Sequence, residues 1–272
     1  MVITSKDNEN IKKIRKLKEK KYRNQTGKFL IEGVKLIKEA IDEKANIDTI
    51  IVCEDCVKNG EIDQNVLYEI AKYNCLYVDE KIFNNITEVQ NPQGLLAVID
   101  KENKNKDINY KEDVIVILDD LQDPGNLGTI LRTIDSCGLS QVIVSKKSGD
   151  VFNPKVVRST MGAIFRINII ESENLVDTIK EIKKHKFKVV STSLQTEESI
   201  YDLDYKKVAI VIGNEANGVS KEVLNASDKK VKIPMLRKNR KFKCSSSNWS
   251  YTIRICKKKN IPLGIILNGI FC

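Results

Sequence analysis

Residues 114–138, VIVILDDLQDPGNLGTILRTIDSCG, decide the fold of this 272-residue chain. The stretch begins with five apolar residues, passes through a turn that contains Pro124, Gly125 and Asn126, and continues with the apolar spacing of a helix. A strand without polar alternation is covered on both faces, as in a parallel sheet. The stretch therefore predicts a strand–turn–helix unit of a mainly parallel α/β sheet.

The same alternation of strand and helix continues from this unit to residue 236. Continuous valine and isoleucine runs predict further strands, and helical spacing fills most of the gaps between them. The predicted strands are QVIVS, AIFRINII, KVVSTSL, VAIVIGNE and KVKIPM. Ligands of a parallel sheet bind beyond the carboxyl ends of its strands. The chemistry of residues 114–236 is therefore expected in the loops that follow strands.

Residues 1–100 predict a separate, compact α/β domain. The strands KFLIEG, IDTIIVCE, CLYVDE and GLLAVID alternate with helices of about 10 to 12 residues. Residues 101–113, KENKNKDINYKED, are charged and lack an apolar period. They predict a linker between the two domains.

The first helix, predicted over residues 8–27, carries a basic face. Ile11, Ile14 and Leu17 recur at spacings of three and predict its buried side. The surrounding cations are either a solvated helix face or a phosphate-binding stripe, and the pattern leaves both interpretations open. The cations considered for phosphate contact are Lys12, Lys13, Arg15 and Arg23.

The net charge of +9 comes from the end of the chain. Residues 237–272 hold nine of the 46 lysines and arginines and none of the 37 acidic residues, so the first 236 residues are balanced. Net charge therefore does not indicate what the two predicted domains bind.

The cysteine and histidine content argues against a metal centre. Seven cysteines at irregular spacing predict reduced thiols. Cys53 and Cys56 form a lone CxxC, whereas a structural zinc site needs four ligands. His185, the only histidine, lies in a lysine-rich run and is interpreted as a solvated helix end. With no export signal and no apolar run of about 18 residues, a cytoplasmic protein without a bound metal is expected.

Two loops after predicted strands carry candidate chemistry. In the first, Asn126 lies where the open amides of a helix N-terminus can meet an anionic group, and Arg132 follows within the helix. In the second, IGNEANGVS, Gly213 and Gly218 permit a close approach of the backbone. The spacing is not GxGxxG, which disfavours a dinucleotide enzyme. The two loops predict a cofactor pocket, and the alternative is an ordinary turn with a surface arginine.

Several motifs in register sharpen this prediction. DPGNLGTILRTIDSCG, NPKVVRSTMGAIFRI, IVIGNEANGVS and VKIPM resemble, in order and spacing, the SpoU/TrmH class of SPOUT RNA methyltransferases. KFLIEGVKLIKEA and NPQGLLAVI are similar to the L30e-like substrate-binding domain of that class. The resemblance spans residues 10–236. It implies a trefoil-knotted domain, S-adenosylmethionine as cofactor, a homodimer, and methylation of an RNA ribose 2′-hydroxyl, with ribosomal RNA favoured over tRNA.

The resemblance also implies roles for individual residues. Asn126 and Arg132 would form the RNA-facing catalytic motif, with Arg132 binding the neighbouring phosphate and assisting deprotonation of the hydroxyl. Glu215 would orient one of these groups or the substrate, and Arg158 would contact phosphate. The residues that would bind the cofactor are Gly213, Asn214, Gly218, Ile233, Pro234, Leu236 and Phe242.

Residues 237–259, RKNRKFKCSSSNWSYTIRICKKK, depart from the class pattern. A permitted back-translation, read one nucleotide later, encodes GKIESLNVAVATGVILYEYVRK, which is the class's third motif and its helix at the expected distance from IPM. The sequence therefore predicts a one-nucleotide frameshift near Leu236 and an aberrant tail over residues 237–272. If that tail is genuine, the chain would be a catalytically impaired RNA-binding protein.

Overall fold

The computed structural model describes residues 2–101, 107–204 and 206–232. The predicted cofactor residues Ile233, Pro234, Leu236 and Phe242 lie outside these described residues, as do the tail and the segment expected to close the knot. The chain divides into two compact units. Residues 2–101 and 150–165 form the first, and residues 107–149 and 166–232 belong to the second. The predicted boundaries at residues 100, 113 and 236 stay a prediction.

The first unit contains a four-stranded mixed sheet in the order β1-β4-β2-β3. Strand β4 is antiparallel to both β1 and β2, and β2 is parallel to β3. All but the last residue of β4 are buried, as expected of a strand at the centre of a sheet. The strands are β1 Lys28–Glu32, β2 Ile47–Cys53, β3 Cys75–Val78 and β4 Leu95–Asp100. These bounds confirm the predicted α/β layer.

Helices cover this sheet, and one of them comes from a distant part of the chain. The helices are α1 Glu9–Lys16, α2 Lys20–Thr26, α3 Val34–Asp42, α4 Glu54–Lys58, α5 Gln64–Ile70, α6 Glu80–Ile86 and α8 Pro154–Thr160. Helix α8 packs on β1, and the ring centroids of Phe29 and Phe152 lie 5.0 Å apart. The segment around α8 therefore shares the core of the first unit.

The single N-terminal helix expected over residues 8–27 is wrong, because the chain forms two helices there. Helix α1 ends at a cap on Leu17, and the ammonium group of Lys18 then donates to the carbonyls of Asn85 and Thr87, at 3.4 and 3.1 Å. Helix α2 ends at Gly27, whose φ of 66° is left-handed. These contacts lie far along the chain, so local spacing could not predict the break.

The second unit contains a six-stranded parallel sheet in the order β10-β8-β9-β5-β6-β7. Every residue of β5, β6 and β9 is buried, which confirms the prediction from their unbroken apolar runs. The strands are β5 Val114–Leu118, β6 Gln141–Ser145, β7 Asn168–Ser172, β8 Lys188–Thr192, β9 Val208–Ile212 and β10 Lys229–Val231.

Helices α7 Pro124–Ser136, α9 Leu175–Lys184 and α10 Lys221–Ala226 belong to the same unit. The strand expected over AIFRINII is partly wrong. Its first residues form the short 3-10 helix Ala163–Phe165, and only its second half enters β7. The apolar run alone does not distinguish the two, because both bury Ile side chains.

The order of the strands fixes where a ligand site is expected. From β5 the chain moves through α7 to β6 on one side, whereas from β9 it moves through α10 to β10 on the other side. Strands β5 and β9 are adjacent, with Leu118 opposite Ile212 at their carboxyl ends. The region between the two outgoing loops, here called the crevice, is the usual ligand position in such sheets.

Candidate active site

The loop after β5 positions Asn126 in the first turn of α7. The carboxylate of Asp123 caps the helix by accepting a hydrogen bond of 2.8 Å from the backbone N–H of Asn126. Pro124 occupies the start of the helix, where its missing N–H costs nothing. Asn126 is half-buried and sits at the carboxyl edge of the sheet. The predicted strand–turn–helix unit therefore delivers this side chain to the expected crevice.

The loop after β9 is compact, and its shape depends on Gly213. A Cβ at this position would lie 2.1 Å from the backbone nitrogen of Val219, so no other residue fits without a shift of the loop. Asn214 and Gly218 exchange backbone hydrogen bonds of 3.0 and 2.8 Å, and Gly218 has a left-handed φ of 71°. Glu215 is exposed at the tip of this loop.

The two loops are joined by side-chain hydrogen bonds. The Asn126 amide donates to the carboxylate of Glu215 at 3.2 Å, which brings together two of the three predicted catalytic residues. The Asn214 amide donates to the carbonyl of Asp120 at 2.8 Å. The carboxylate of Asp119 accepts from the backbone N–H of Ser220, also at 2.8 Å. The crevice between β5 and β9 is thus a defined polar site.

Asp119, Asp120, Ser145 and Ser148 were missed as site residues by the sequence interpretation. The hydroxyl of Ser145 accepts from the N–H of Asp120 at 2.9 Å, and that of Ser148 accepts from the N–H of Leu121 at 3.1 Å. Asp120 itself has a left-handed φ of 57°. The sequence signal was the pair of aspartates directly after an apolar strand, a position at the carboxyl edge of the sheet.

Arg132 is not part of the Asn126–Glu215 contact. It is exposed, and its side chain forms no hydrogen bond or ion pair with any residue the structure describes. It follows Asn126 by six helical positions, which is about 9 Å along the axis and about 120° around it. Its guanidinium is therefore free to meet a ligand that approaches from solvent.

The predicted RNA-contacting cations lie in the first unit and differ in availability. Lys13 is exposed, and Arg15 is exposed with a long contact of 3.5 Å to the Asn85 side chain. Lys12 forms ion pairs with Asp7 and Glu9 at 3.6 and 3.5 Å. Lys13 and Arg15 can reach a phosphate without breaking a short ion pair.

Arg23 does not fit the prediction that it contacts RNA. Its side chain is 2% exposed and forms a salt bridge of 2.5 Å with Asp150. The same guanidinium donates to the carbonyls of Leu17 and Lys18, both at 2.7 Å. This arginine instead ties α2 and the segment before α8 to one core. Helical spacing predicted a basic face but could not reveal a partner 127 residues away.

Arg158 is half-buried on α8. One terminal nitrogen, Nη1, is buried and has no hydrogen-bond partner within the described part of the chain. The side chain borders a small cavity that Glu32 and Glu88 also line. Its predicted contact with RNA phosphate stays a prediction.

The thiols and acidic groups of the described ranges form no metal centre. No group of three or more His, Cys, Asp or Glu side chains that could hold a metal ion occurs in them. Cys53 and Cys56 are buried, and the N–H of Cys56 donates to the sulfur of Cys53 at 3.4 Å. Burial raises the pKa of the Cys56 thiol, so it stays protonated and unreactive. None of the helices in those ranges is long and apolar enough to cross a membrane.

Comparison with known proteins relates both units to RNA-modifying enzymes. Residues 113–256 match the SpoU rRNA Methylase family, and residues 8–97 match the MRM3-like substrate binding domain. The chain is 31% identical to the 23S rRNA (guanosine(2553)-2'-O)-methyltransferase RlmP of Bacillus subtilis, over 86% of this chain and 90% of that protein.

Solved structures give the same relationship. The AdoMet-bound rRNA methyltransferase from Sinorhizobium meliloti superposes with a TM-score of 0.78 at 30% identity, covering 99% of this chain and 97% of that one. A putative RNA methyltransferase of the TrmH family from Porphyromonas gingivalis superposes with a TM-score of 0.74 at 29% identity, covering 86% and 90%. The predicted SPOUT-type α/β fold is confirmed by these similarities.

Proposed function

Because the chain belongs to the SpoU rRNA Methylase family, we propose that it transfers a methyl group from S-adenosylmethionine to a ribose 2′-hydroxyl of structured RNA. The observation that carries this proposal is the contact between Asn126 and Glu215, at 3.2 Å, in the crevice between β5 and β9. It joins residues 89 positions apart in sequence at the edge where parallel sheets bind ligands.

The loop after β9 would hold one side of the cofactor. Gly213, Asn214 and Gly218 form its tight backbone, and Glu215 and Asn217 present exposed carboxylate and amide groups beside it. Neutral and acidic hydrogen-bonding groups of this kind suit the hydroxyl and amino groups of an adenosyl ligand. Ile233, Pro234, Leu236 and Phe242 are proposed to supply the other side. When bound, the cofactor supplies an electrophilic methyl group on a sulfonium.

Asn126, Glu215 and Arg132 are proposed to act on the RNA. The Asn126 amide nitrogen donates to Glu215, which leaves its amide oxygen free to accept a hydrogen bond from the ribose hydroxyl. Since a hydroxyl is a weak nucleophile, it has to be oriented and helped to lose its proton. Arg132, exposed and without an ion pair among the described residues, binds the adjacent phosphate and stabilises the negative charge that develops.

The substrate is proposed to be 23S ribosomal RNA, with tRNA as the second candidate. The Bacillus subtilis relative is named for a 23S rRNA nucleotide, whereas several relatives from Staphylococcus species are named as tRNA/rRNA methyltransferases. In the first unit, the exposed cations Lys13 and Arg15 lie within the segment matched to a substrate-binding domain. They are proposed to contact RNA phosphates. Lys12 is proposed to do the same after its ion pairs with Asp7 and Glu9 break.

A homodimer in the cytoplasm is also proposed. The resemblance implies a site at a subunit interface, so a second copy would complete the crevice. Sedimentation of the purified chain at micromolar concentration tests it. A single species of twice the chain mass of 30.9 kDa supports the dimer, and a monomer over the whole concentration range contradicts it.

The second candidate function is RNA binding without methyl transfer. It rests on the sequence of residues 237–259, which lacks the third motif in the written frame. The family match continues to residue 256, so it includes residues 237–256 of this stretch. Intact mass spectrometry of the protein from its native host decides which tail is made, because the two frames differ in mass.

Methyl transfer is tested with radiolabelled S-adenosylmethionine and either 23S rRNA or tRNA. Asn126→Ala is expected to lower kcat by about 100-fold, since it removes a group that orients the nucleophile. Asn225→Ala provides the matched control, because Asn225 is an exposed asparagine of α10 outside the crevice. Equal rates for both variants and the original chain would contradict the proposed role of the crevice.

A further inference from the structure

Asp119 is a buried carboxylate without a cationic partner. Its side chain is 4% exposed, and no ion pair within the described ranges includes it. By contrast, the buried Arg23 is balanced by Asp150. Burying a charge without a partner of opposite charge lowers the free energy of unfolding. The presence of Asp119 in the second unit therefore needs an explanation other than stability.

The contacts of Asp119 link the two loops of the candidate site. Its N–H donates to the carbonyl of Ile212 at 2.8 Å, which continues the β5–β9 pairing by one step. Its carboxylate accepts from the N–H of Ser220 at 2.8 Å, where α10 begins. One residue therefore holds both ends of the loop that follows β9, and Glu215 lies between those ends.

The direct contact between the loops cannot fix Glu215 by itself. The bond between Asn126 and Glu215 is 3.2 Å long and exposed, and exposed polar pairs contribute little to order. The bond from Ser220 to Asp119 is charge-assisted, shorter and part-buried, so it is the stronger of the two.

We propose that Asp119 is a positioning residue that clamps the loop after β9 onto the end of β5 and so holds Glu215 opposite Asn126. A carboxylate suits this task because it accepts hydrogen bonds only, and the N–H of Ser220 is a donor at a helix start. An amide retains one accepting oxygen and can replace part of the contact, whereas a methyl group cannot. The effect of this clamp on catalysis rests on the proposed function. Its effect on the position of the loop does not.

Hydrogen exchange of backbone amides in the full chain tests the clamp. Asp119→Ala is expected to increase the exchange rate over residues 213–220 by about tenfold or more, which corresponds to losing one charge-assisted hydrogen bond. Strands β6 and β7 are expected to keep their protection. Asp119→Asn is expected to retain most of the protection over residues 213–220, because the amide oxygen can still accept from Ser220.

Asp228→Ala is the matched control. Its carboxylate accepts from the N–H of Val189 at 2.8 Å, in the same unit but at the amino-terminal edge of the sheet. The expected result is faster exchange at Val189 and unchanged exchange over residues 213–220. Unchanged exchange over residues 213–220 in Asp119→Ala, or equal loss of protection throughout the sheet, would overturn the proposal, since the residue would then support only global stability.

Kinetics provide the catalytic test. Asp119→Ala is expected to lower kcat by about tenfold or more with the KM for RNA little changed, and Asp119→Asn to recover most of the rate. A rise in the KM for RNA at constant kcat would contradict a positioning role. If the unaltered chain methylates no RNA, the proposed function fails, whereas the exchange measurements still decide whether Asp119 clamps the loop.

Discussion

At the scale of single residues, Gly213 is the position where the candidate site tolerates least change. Gly213→Ala would place a methyl group 2.1 Å from the Val219 nitrogen and 2.2 Å from the Gly218 carbonyl carbon. The loop has to move, so we expect a loss of about 1 to 3 kcal/mol in unfolding free energy. Denaturation with urea measures this loss, and calorimetric titration with S-adenosylmethionine is expected to show weaker binding.

Gly125→Ala is the control for this steric argument. The nearest atom to its added methyl group is the capping oxygen of Asp123, at 3.1 Å, and a shift of a few tenths of an ångström would relieve this contact without a backbone clash. We expect a change of less than about 1 kcal/mol. A loss as large as that of Gly213→Ala would mean that any added methyl group in this crevice is destabilising and that the backbone clash is not the cause.

Arg23 is the residue whose removal is expected to destabilise the first unit most directly. Arg23→Ala leaves Asp150 buried without its cation and frees the carbonyls of Leu17 and Lys18. The expected loss is about 3 to 5 kcal/mol of unfolding free energy, measured by urea denaturation. The double variant Arg23→Met with Asp150→Leu is expected to recover part of this loss, because no unpaired charge remains.

Arg15→Ala is the matched control, since Arg15 is exposed and has only a long contact with Asn85. Its unfolding free energy is expected to change by less than about 0.5 kcal/mol. For RNA affinity the order of the two variants should be reversed. Arg15→Ala is the one expected to weaken RNA binding and to reduce its dependence on salt concentration. Equal stability of both arginine variants would contradict the structural role of Arg23.

At the scale of elements, the start of α7 determines where Asn126 points. Asp123→Ala removes the side chain that accepts from the Asn126 N–H at 2.8 Å. We expect a loss of about 1 kcal/mol in unfolding free energy, together with slower methyl transfer because Asn126 is no longer held. Asp123→Ser restores a capping oxygen and is expected to recover both properties.

Asp63→Ala serves as the comparison for Asp123→Ala. Asp63 caps α5 in the first unit by accepting from the N–H of Asn65 at 2.7 Å. The same loss of stability is expected, but the rate of methyl transfer should stay unchanged. If Asp63→Ala slowed the reaction as much as Asp123→Ala, the slower rate would reflect reduced stability and not the position of Asn126.

Local sequence pattern predicted most helices and strands, and it failed where contacts between residues far apart in the sequence determine the structure. Strands β5, β6 and β9 are buried on both faces, so their unbroken apolar runs were enough to predict them as strands. At the break between α1 and α2, Lys18 donates to the carbonyls of Asn85 and Thr87, contacts that spacing within the helix cannot reveal. The same limit explains why Arg23 was interpreted as a surface cation.

At the scale of the whole molecule, the position of the site follows from strand order and not from any single motif. The sequence predicted from loop position that the segments of Asn126 and Glu215 form one pocket, and the family resemblance added their catalytic roles. Asn126 and Glu215 are adjacent because β9 pairs with β5, although the two strands are far apart in the sequence. Asp119 was missed for the same reason, because its partner Ser220 lies 101 residues away.

Whether the whole chain methylates RNA is proposed to depend on its tail. Replacing residues 237–258 with GKIESLNVAVATGVILYEYVRK restores the class's third motif and exchanges a basic segment for an apolar helix. Because the third motif lines the cofactor pocket in the class that this chain resembles, we expect the replaced chain to bind S-adenosylmethionine at least about 100-fold more tightly than the original chain, a difference of about 2.7 kcal/mol. Calorimetric titration of both chains measures this. If both chains bind S-adenosylmethionine with equal affinity, the tail of the original chain is functional and the frameshift hypothesis is wrong.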